Sequence, residues 1–355
     1  MNSRTKNLIA IFLPIQIVLI FWIRNYPEIV EQYYSHGIYA FLSSISRILS
    51  GWIPFSIGDI LYGVAIFLLI RYLILHRHNI KNKPKSFLRD VVTTLSLVYF
   101  FFHLLWGLNY YREPLQKTLM IEETHTKQEL HNFVQELIVT TNKIHLSITK
   151  DSAQLVQIPY SKEEVFNKTK EAYTNIAVQY PFLTYNYPSI KKSNFSLMLT
   201  YMGYGGYLNP FTNEAQVNGK LPLFRFPVVC AHEIGHQIGY SAENETNLIG
   251  YLVAANSEDI YFKYAAYSYA LSYCLSNIRE QDKEKFNALY AQLNVGVKKN
   301  YKEVFDFWEA HENPMEPVFK SIFNSFLKAN HQKEGIKSYN SVVSLLVNYH
   351  KKHPL

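Results

Sequence analysis

The chain has 355 residues, 48% hydrophobic and only 18% charged, with 35 Lys and Arg against 28 Asp and Glu. Its formal net charge of +7 is concentrated at the start: residues 1–110 carry +6 and residues 111–355 carry +1. That distribution argues against a nucleic-acid-binding surface, because the later part has no basic stripe to neutralise phosphates, and two cysteines, Cys230 and Cys274, are too few for a disulfide framework, although one pair outside the cytoplasm stays open.

The first third reads as membrane. Apolar runs predict spans at about 7–23, 56–75 and 91–109. The first is broken only by Pro14 and Gln16, and the second carries Asp59 near its start and Arg71 near its end. The third ends in the Trp106 to Tyr111 cluster, as expected at a membrane interface. Residues at about 34–50 predict an amphipathic interfacial helix, with Tyr39, Phe41, Leu42, Ile45 and Leu49 on its apolar side. No small-residue cleavage site follows Ile23, so the first span is expected to stay attached rather than leave as a signal peptide. Arg4 and Lys6 precede the first span, and Arg77, Lys81, Lys83, Lys85 and Arg89 follow the second. The positive-inside rule places both groups in the cytoplasm. Three spans then put residues 111–355 on the extracytoplasmic face of the inner (plasma) membrane. The expected organisation is a membrane module, 1–110, and one further domain, 111–355.

Beyond the spans the pattern predicts a mainly α fold with a small β-sheet. Helices are expected at 126–148 and 161–179, the second opened by a capping box of Ser161 and Glu164. Residues 197–218 carry Gly203, Gly205 and Gly206, then Asn209-Pro210 and alternating Ala215 and Val217, which predicts strand, turn, strand. Aromatic-rich helices follow Asn247 through Ser276, and further helices are expected at 283–293, 299–310, 315–329 and 338–350. Their Tyr and Phe stripes read as core.

The chemistry is concentrated between residues 226 and 247. Phe226-Pro227 supplies a helix start, and His232-Glu233-Ile234-Gly235-His236 follows on the same helix. Histidines at i and i+4 share one face, so two imidazoles reach one metal ion, and Glu233 lies beside any water held there. Gly239 can end that helix in the left-handed conformation, and Ser241 can cap a second helix carrying Glu243 and Asn247 four residues apart. Glu243 and Glu245 lie about 200° apart around that helix, so only one faces the metal. Asn247 shares the face of Glu243 and could orient a ligating histidine, which favours Glu243, with Glu245 the competitor.

A helix bearing HExxH, then a helix bearing E-x-x-x-N, resembles the zincin metallopeptidases of the glutamate-ligand type. The resemblance implies a zincin-like α+β metallopeptidase domain after the transmembrane helices. It gives Zn²⁺ held by His232, His236 and Glu243, with Glu233 as catalytic base. Asn247 stands where those enzymes have an acid. The gap between the helices is shorter than in thermolysin-like enzymes, and Ala242 takes the place of the third histidine of the metzincins, whose turn Gly239 otherwise resembles. With its membrane-embedded start, Trp106-Gly107-Leu108-Asn109-Tyr110-Tyr111-Arg112 and Asn209-Pro210-Phe211-Thr212, the whole chain resembles a bacterial family of multi-pass membrane proteins with a zinc-peptidase-like domain. In zincins an edge strand before the metal helix holds extended substrate, and residues 213–218 have the matching sequence position.

The expected function is that of a membrane-anchored zinc metalloendopeptidase acting on a protein or peptide at the cell envelope, with Glu233 as general base. Tyr201, Tyr207 and Tyr251 are oxyanion donors by position. Cleavage inside the bilayer fits less well, since Arg225 and Gln237 flank the motif closely. Two alternatives stand beside this reading: a membrane-anchored binding or scaffold protein with a structural or vestigial metal site, and a hydrolase of non-peptide amides or esters. The lipid bilayer is an expected partner, nucleic acid is not, and the sequence leaves the oligomeric state open.

Overall fold

The structure, a computed structural model, describes residues 1–355 apart from the side chains of Asn79 and Asn340. Among the described residues three helices are long and apolar enough to cross a membrane: α1 (Ser3–Ile23), α3 (Ile57–Leu75) and α4 (Pro84–Leu105). Their large side chains, such as Val18, Phe67 and Leu69, are exposed. Only a hydrocarbon surrounding makes such a surface stable.

α1 and α4 pack along their lengths. Gln16 donates to the Ser96 hydroxyl at 2.8 Å, and Lys6 meets Asp90 at 2.8 Å, so the starts of both helices lie at one end. α3 stands apart from this pair and is fastened at its ends. At its start, Asp59 accepts the Tyr207 hydroxyl, the Ser193 hydroxyl at 3.0 Å and the Asn194 amide at 2.5 Å. At its other end the Tyr72 hydroxyl donates to Asp90 at 3.2 Å.

Between α1 and α3 the chain opens a helix at Pro27–Ile29, widens into a π-helical stretch at Val30–Tyr39 and continues as α2 (Ala40–Ser50). α2 buries its polar side, Ser43, Arg47 and Ser50, against the rest of the protein. Phe41, Ile45, Ile48 and Leu49 are exposed. A helix with its polar face inward and its apolar face outward suits the membrane interface. Tyr39 departs from the expected apolar side: it is buried and bonded within the protein.

The remainder is mainly helical with a three-stranded sheet. α5 (Lys127–Thr149) and α6 (Lys162–Gln179) both open with full capping boxes, Thr126 with Glu129 and Ser161 with Glu164. α8 (Phe226–Gln237), α9 (Glu243–Ala255) and α10 (Ile260–Gln281) pack together over α5, followed by α11 (Lys283–Ala291), α12 (Val295–Glu309), α13 (Glu316–Ala329) and α14 (Val342–Lys352).

Two expectations about 190–218 need correction. Residues 196–202 form a helix, α7 (Ser196–Met202), not a strand; it ends on Gly203 at φ 79°. The sheet has order β1 (Ile190–Lys192), β3 (Glu214–Val217), β2 (Gly206–Asn209), with β3 parallel to β1 and antiparallel to β2. The strand at 213–218 is therefore central and both its edges are taken, so it cannot accept another chain. The free edge beside the metal helix belongs to β2. The Gly205 carbonyl accepts the Asn218 amide at 2.9 Å. Antiparallel alternation then turns the backbone groups of Gly206 and Leu208 outward.

Candidate metal centre

His232, His236 and Glu243 converge, each offering one donor atom, with these atoms within 4.8 Å of one another. Glu243 Oε2 lies 3.3 Å from His232 Nε2 and 3.4 Å from His236 Nε2. Donors about 2.1 Å from a tetrahedral ion stand about 3.4 Å apart, so this spacing fits a divalent cation. All three side chains are buried, yet Glu243 Oε2 has no hydrogen-bond partner, and neither does Glu233 Oε2 beside it. Unpartnered buried carboxylate oxygens are costly, and two at one point mark a place for a cation.

The local backbone explains the convergence. Pro227 fits the first turn of α8, and one helical turn separates the histidines. Gly239 adopts φ 101°, reversing the chain where a side chain would meet the Tyr39 ring. The next helix starts one residue later than the capping expectation: Ala242, not Ser241, is the residue before its first turn, and the Ser241 hydroxyl donates instead to the Asn109 carbonyl at 2.9 Å. Glu243 thus opens α9 with its carboxylate aimed back at α8. Glu245, the competing ligand, turns away and accepts the Leu115 amide at 2.7 Å.

Supporting groups fix the ligands. His236 Nδ1 donates to the Tyr240 carbonyl at 2.8 Å, which leaves Nε2 unprotonated for a metal. Asn247 accepts the Tyr269 hydroxyl at 2.6 Å and is among the groups that favour charge on His232. Burial opposes charge on His236, but Glu243 beside it holds the imidazole up at about 9. Glu243 itself is held low by the two histidines against the effect of burial. Burial pushes Glu233 up to about 8, with His236 opposing and Glu243 adding to the rise. Such a carboxyl can hold and return a proton near neutrality.

Gly206 of β2 allows Glu233 its position, since a Cβ there would lie 2.6 Å from Glu233 Oε1. Of the three tyrosines expected as oxyanion donors, Tyr201 is half exposed with its ring on His311 and lies outside the cavity that holds the cluster, the Tyr207 hydroxyl is held by Asp59, and Tyr251 is buried against His350. Tyr339 lies at the cluster: its ring stacks on His232 at 6.4 Å, and its hydroxyl, held well above the usual range by burial, lies beside Glu243. Nothing local in the sequence marks it, 96 residues after Glu243.

The end of α8 is gripped by the residues nearest the spans. Trp106 Nε1 donates to the His236 carbonyl at 3.2 Å. The Tyr39 hydroxyl and Arg47 both donate to the Gln237 carbonyl, at 2.8 and 3.1 Å, and Arg112 donates to the Gly239 carbonyl at 2.9 Å. These donors meet carbonyls at and just beyond the helix terminus, where the helix itself supplies few partners. Cys230 and Cys274 are buried and unpaired.

A family model described as "Protein of unknown function (DUF3810)" matches residues 34–347, and the chain belongs to that family. No curated protein and no solved structure matches it.

Proposed function

We propose that this member of the DUF3810 family is a zincin-like, zinc-dependent peptidase of the plasma membrane, acting on protein or peptide at the extracytoplasmic face. The observation that carries the reading is the convergence of His232, His236 and Glu243, whose donor atoms lie within 4.8 Å of one another with Glu243 Oε2 3.3–3.4 Å from both imidazoles, beside the unpartnered carboxylate of Glu233. Two imidazoles and a carboxylate are a donor set that suits zinc and leaves a position for substrate. When bound there, zinc supplies a Lewis acid that polarises a carbonyl and acidifies a water. Glu233 takes a proton from the attacking water and passes it to the leaving nitrogen. The water oxygen ends on the carbonyl carbon as the C–N bond breaks. Tyr339 is the donor placed to meet the developing oxyanion. The outward backbone of Gly206 and Leu208 offers an extended peptide a strand to join, next to Glu233. Sidedness follows from the cations: Lys6 and the 77–89 group lie at the end of the spans opposite the cluster, the end retained in the cytoplasm.

The test is metal content and hydrolysis of full-length protein in detergent. Wild type should hold one zinc per chain and cut peptides, while His232→Ala should lose both. A wild-type protein that retains no zinc after loading ends the reading.

A further inference from the structure

One cavity of about 1330 Å³ contains the metal cluster at one end and reaches between the spans at the other. Its far walls are Leu13 and Ile17 of α1, Ala65 and Ile66 of α3, and Leu95 and Val98 of α4. The gap exists because α3 is fastened at its ends and packs along neither neighbour. Leu13 lies ten residues before the end of α1, so the cavity descends about 15 Å along that helix, roughly half the hydrocarbon thickness. The catalytic groups are thus open to the bilayer from the side.

We propose, resting on the peptidase reading, that the substrate is a lipidated peptide. Its alkyl chain lies between α3 and the α1–α4 pair, and the adjoining peptide runs along β2 to Glu233. Three observations carry this. The six wall residues have no polar side-chain atom, whereas the other end of the same cavity holds the cluster and the outward backbone of β2, so the space has the polarity of an amphiphile. Its volume of about 1330 Å³ is ample for one alkyl chain between the helices together with an extended segment at the cluster. His103 lines the cavity near the end of α4, where chain and peptide would join. Its Nδ1 donates to the Tyr99 carbonyl at 3.0 Å, and its buried Nε2 is an acceptor without a partner. The N–H of an acyl amide would supply the missing donor.

The test uses full-length, zinc-loaded protein in nanodiscs and a degenerate peptide library read by mass spectrometry. The library is presented unmodified, palmitoylated directly, palmitoylated through a long flexible linker, or fused to an apolar membrane-spanning helix. Linker and direct forms partition into the membrane equally, so their difference reports the seated chain. Direct attachment should be cut at least about tenfold faster than linker attachment. Equal rates, or fastest cleavage of the helix-fused form, overturn the proposal and leave the peptidase reading intact. In parallel, Glu233→Gln protein is irradiated with the library carrying a diazirine at the end of the palmitoyl chain. Adducts at Leu13, Ala65 or Val98, displaced by unlabelled palmitoylated peptide, support the cleft. Adducts confined to outward residues such as Phe67 and Leu69 overturn it. Adducts in the cleft without cleavage of any library sink the peptidase reading and leave the chain-binding cleft standing.

Discussion

Two buried acidic sites lie within this fold, and they are completed in opposite ways. Glu214 on β3 is saturated: it accepts Lys191, the amides of Gly58 at 2.5 Å and Ile57 at 3.2 Å, and the Thr212 hydroxyl at 2.9 Å. Lys191 is in turn held by the Ser50 carbonyl at 2.8 Å. Glu243 and Glu233 each keep an oxygen without a hydrogen bond, with two imidazoles beside them rather than a permanent cation. A buried carboxylate costs several kcal/mol unless its charge is met. The chain supplies the counter-charge for Glu214 from the neighbouring strand, and that pair caps the start of α3 on the sheet. At the metal centre the counter-charge must come from outside. The first arrangement is complete within the fold; the second could hold an ion.

The sharpest break in this comparison is Glu233→Gln, expected to lower hydrolysis by about 10³-fold or more with zinc content unchanged, read by turnover and elemental analysis. Next, Lys191→Met should strand the Glu214 charge and destabilise the protein by about 3–5 kcal/mol, a loss that added zinc leaves in place. Glu243→Gln should do the reverse in its response to metal, abolishing the rise in melting temperature on zinc addition that wild type shows. On the proposed mechanism, Tyr339→Phe should lower kcat by about 10²-fold with KM little changed, since its hydroxyl would meet charge that develops in the transition state. Smallest, Trp106→Phe should cost about 1 kcal/mol of stability for one lost hydrogen bond to the His236 carbonyl.

The cluster of His232, His236 and Glu243 was legible in the sequence because one helical turn, a glycine reversal and a second helix start bring these residues together within twelve positions. The three apolar helices were legible for the same reason, since composition over twenty residues marks them. What was hidden depends on distant partners. Whether 196–202 coils or extends is decided by its packing beneath α13, not by its aromatic content. Strand order hides which edge is free: 213–218 reads as an edge strand until β1, a strand of three residues, takes one of its sides. Tyr339 reaches the cluster through the chain's long return, and Tyr39 left the expected apolar face because its hydroxyl had a carbonyl and Asn213 to satisfy. Long-range hydrogen bonds leave no periodicity to read.

The grip of Trp106, Tyr39, Arg47 and Arg112 on the end of α8 has a practical consequence. Severing the chain after residue 110 would remove three of these four donors and strip the metal helix's last turn of its supports at the very histidine meant to bind. The hydrophobic part is thus no mere leash for a free-standing domain. The spans and the cluster form one unit, and preparations lacking the former should yield misfolded material.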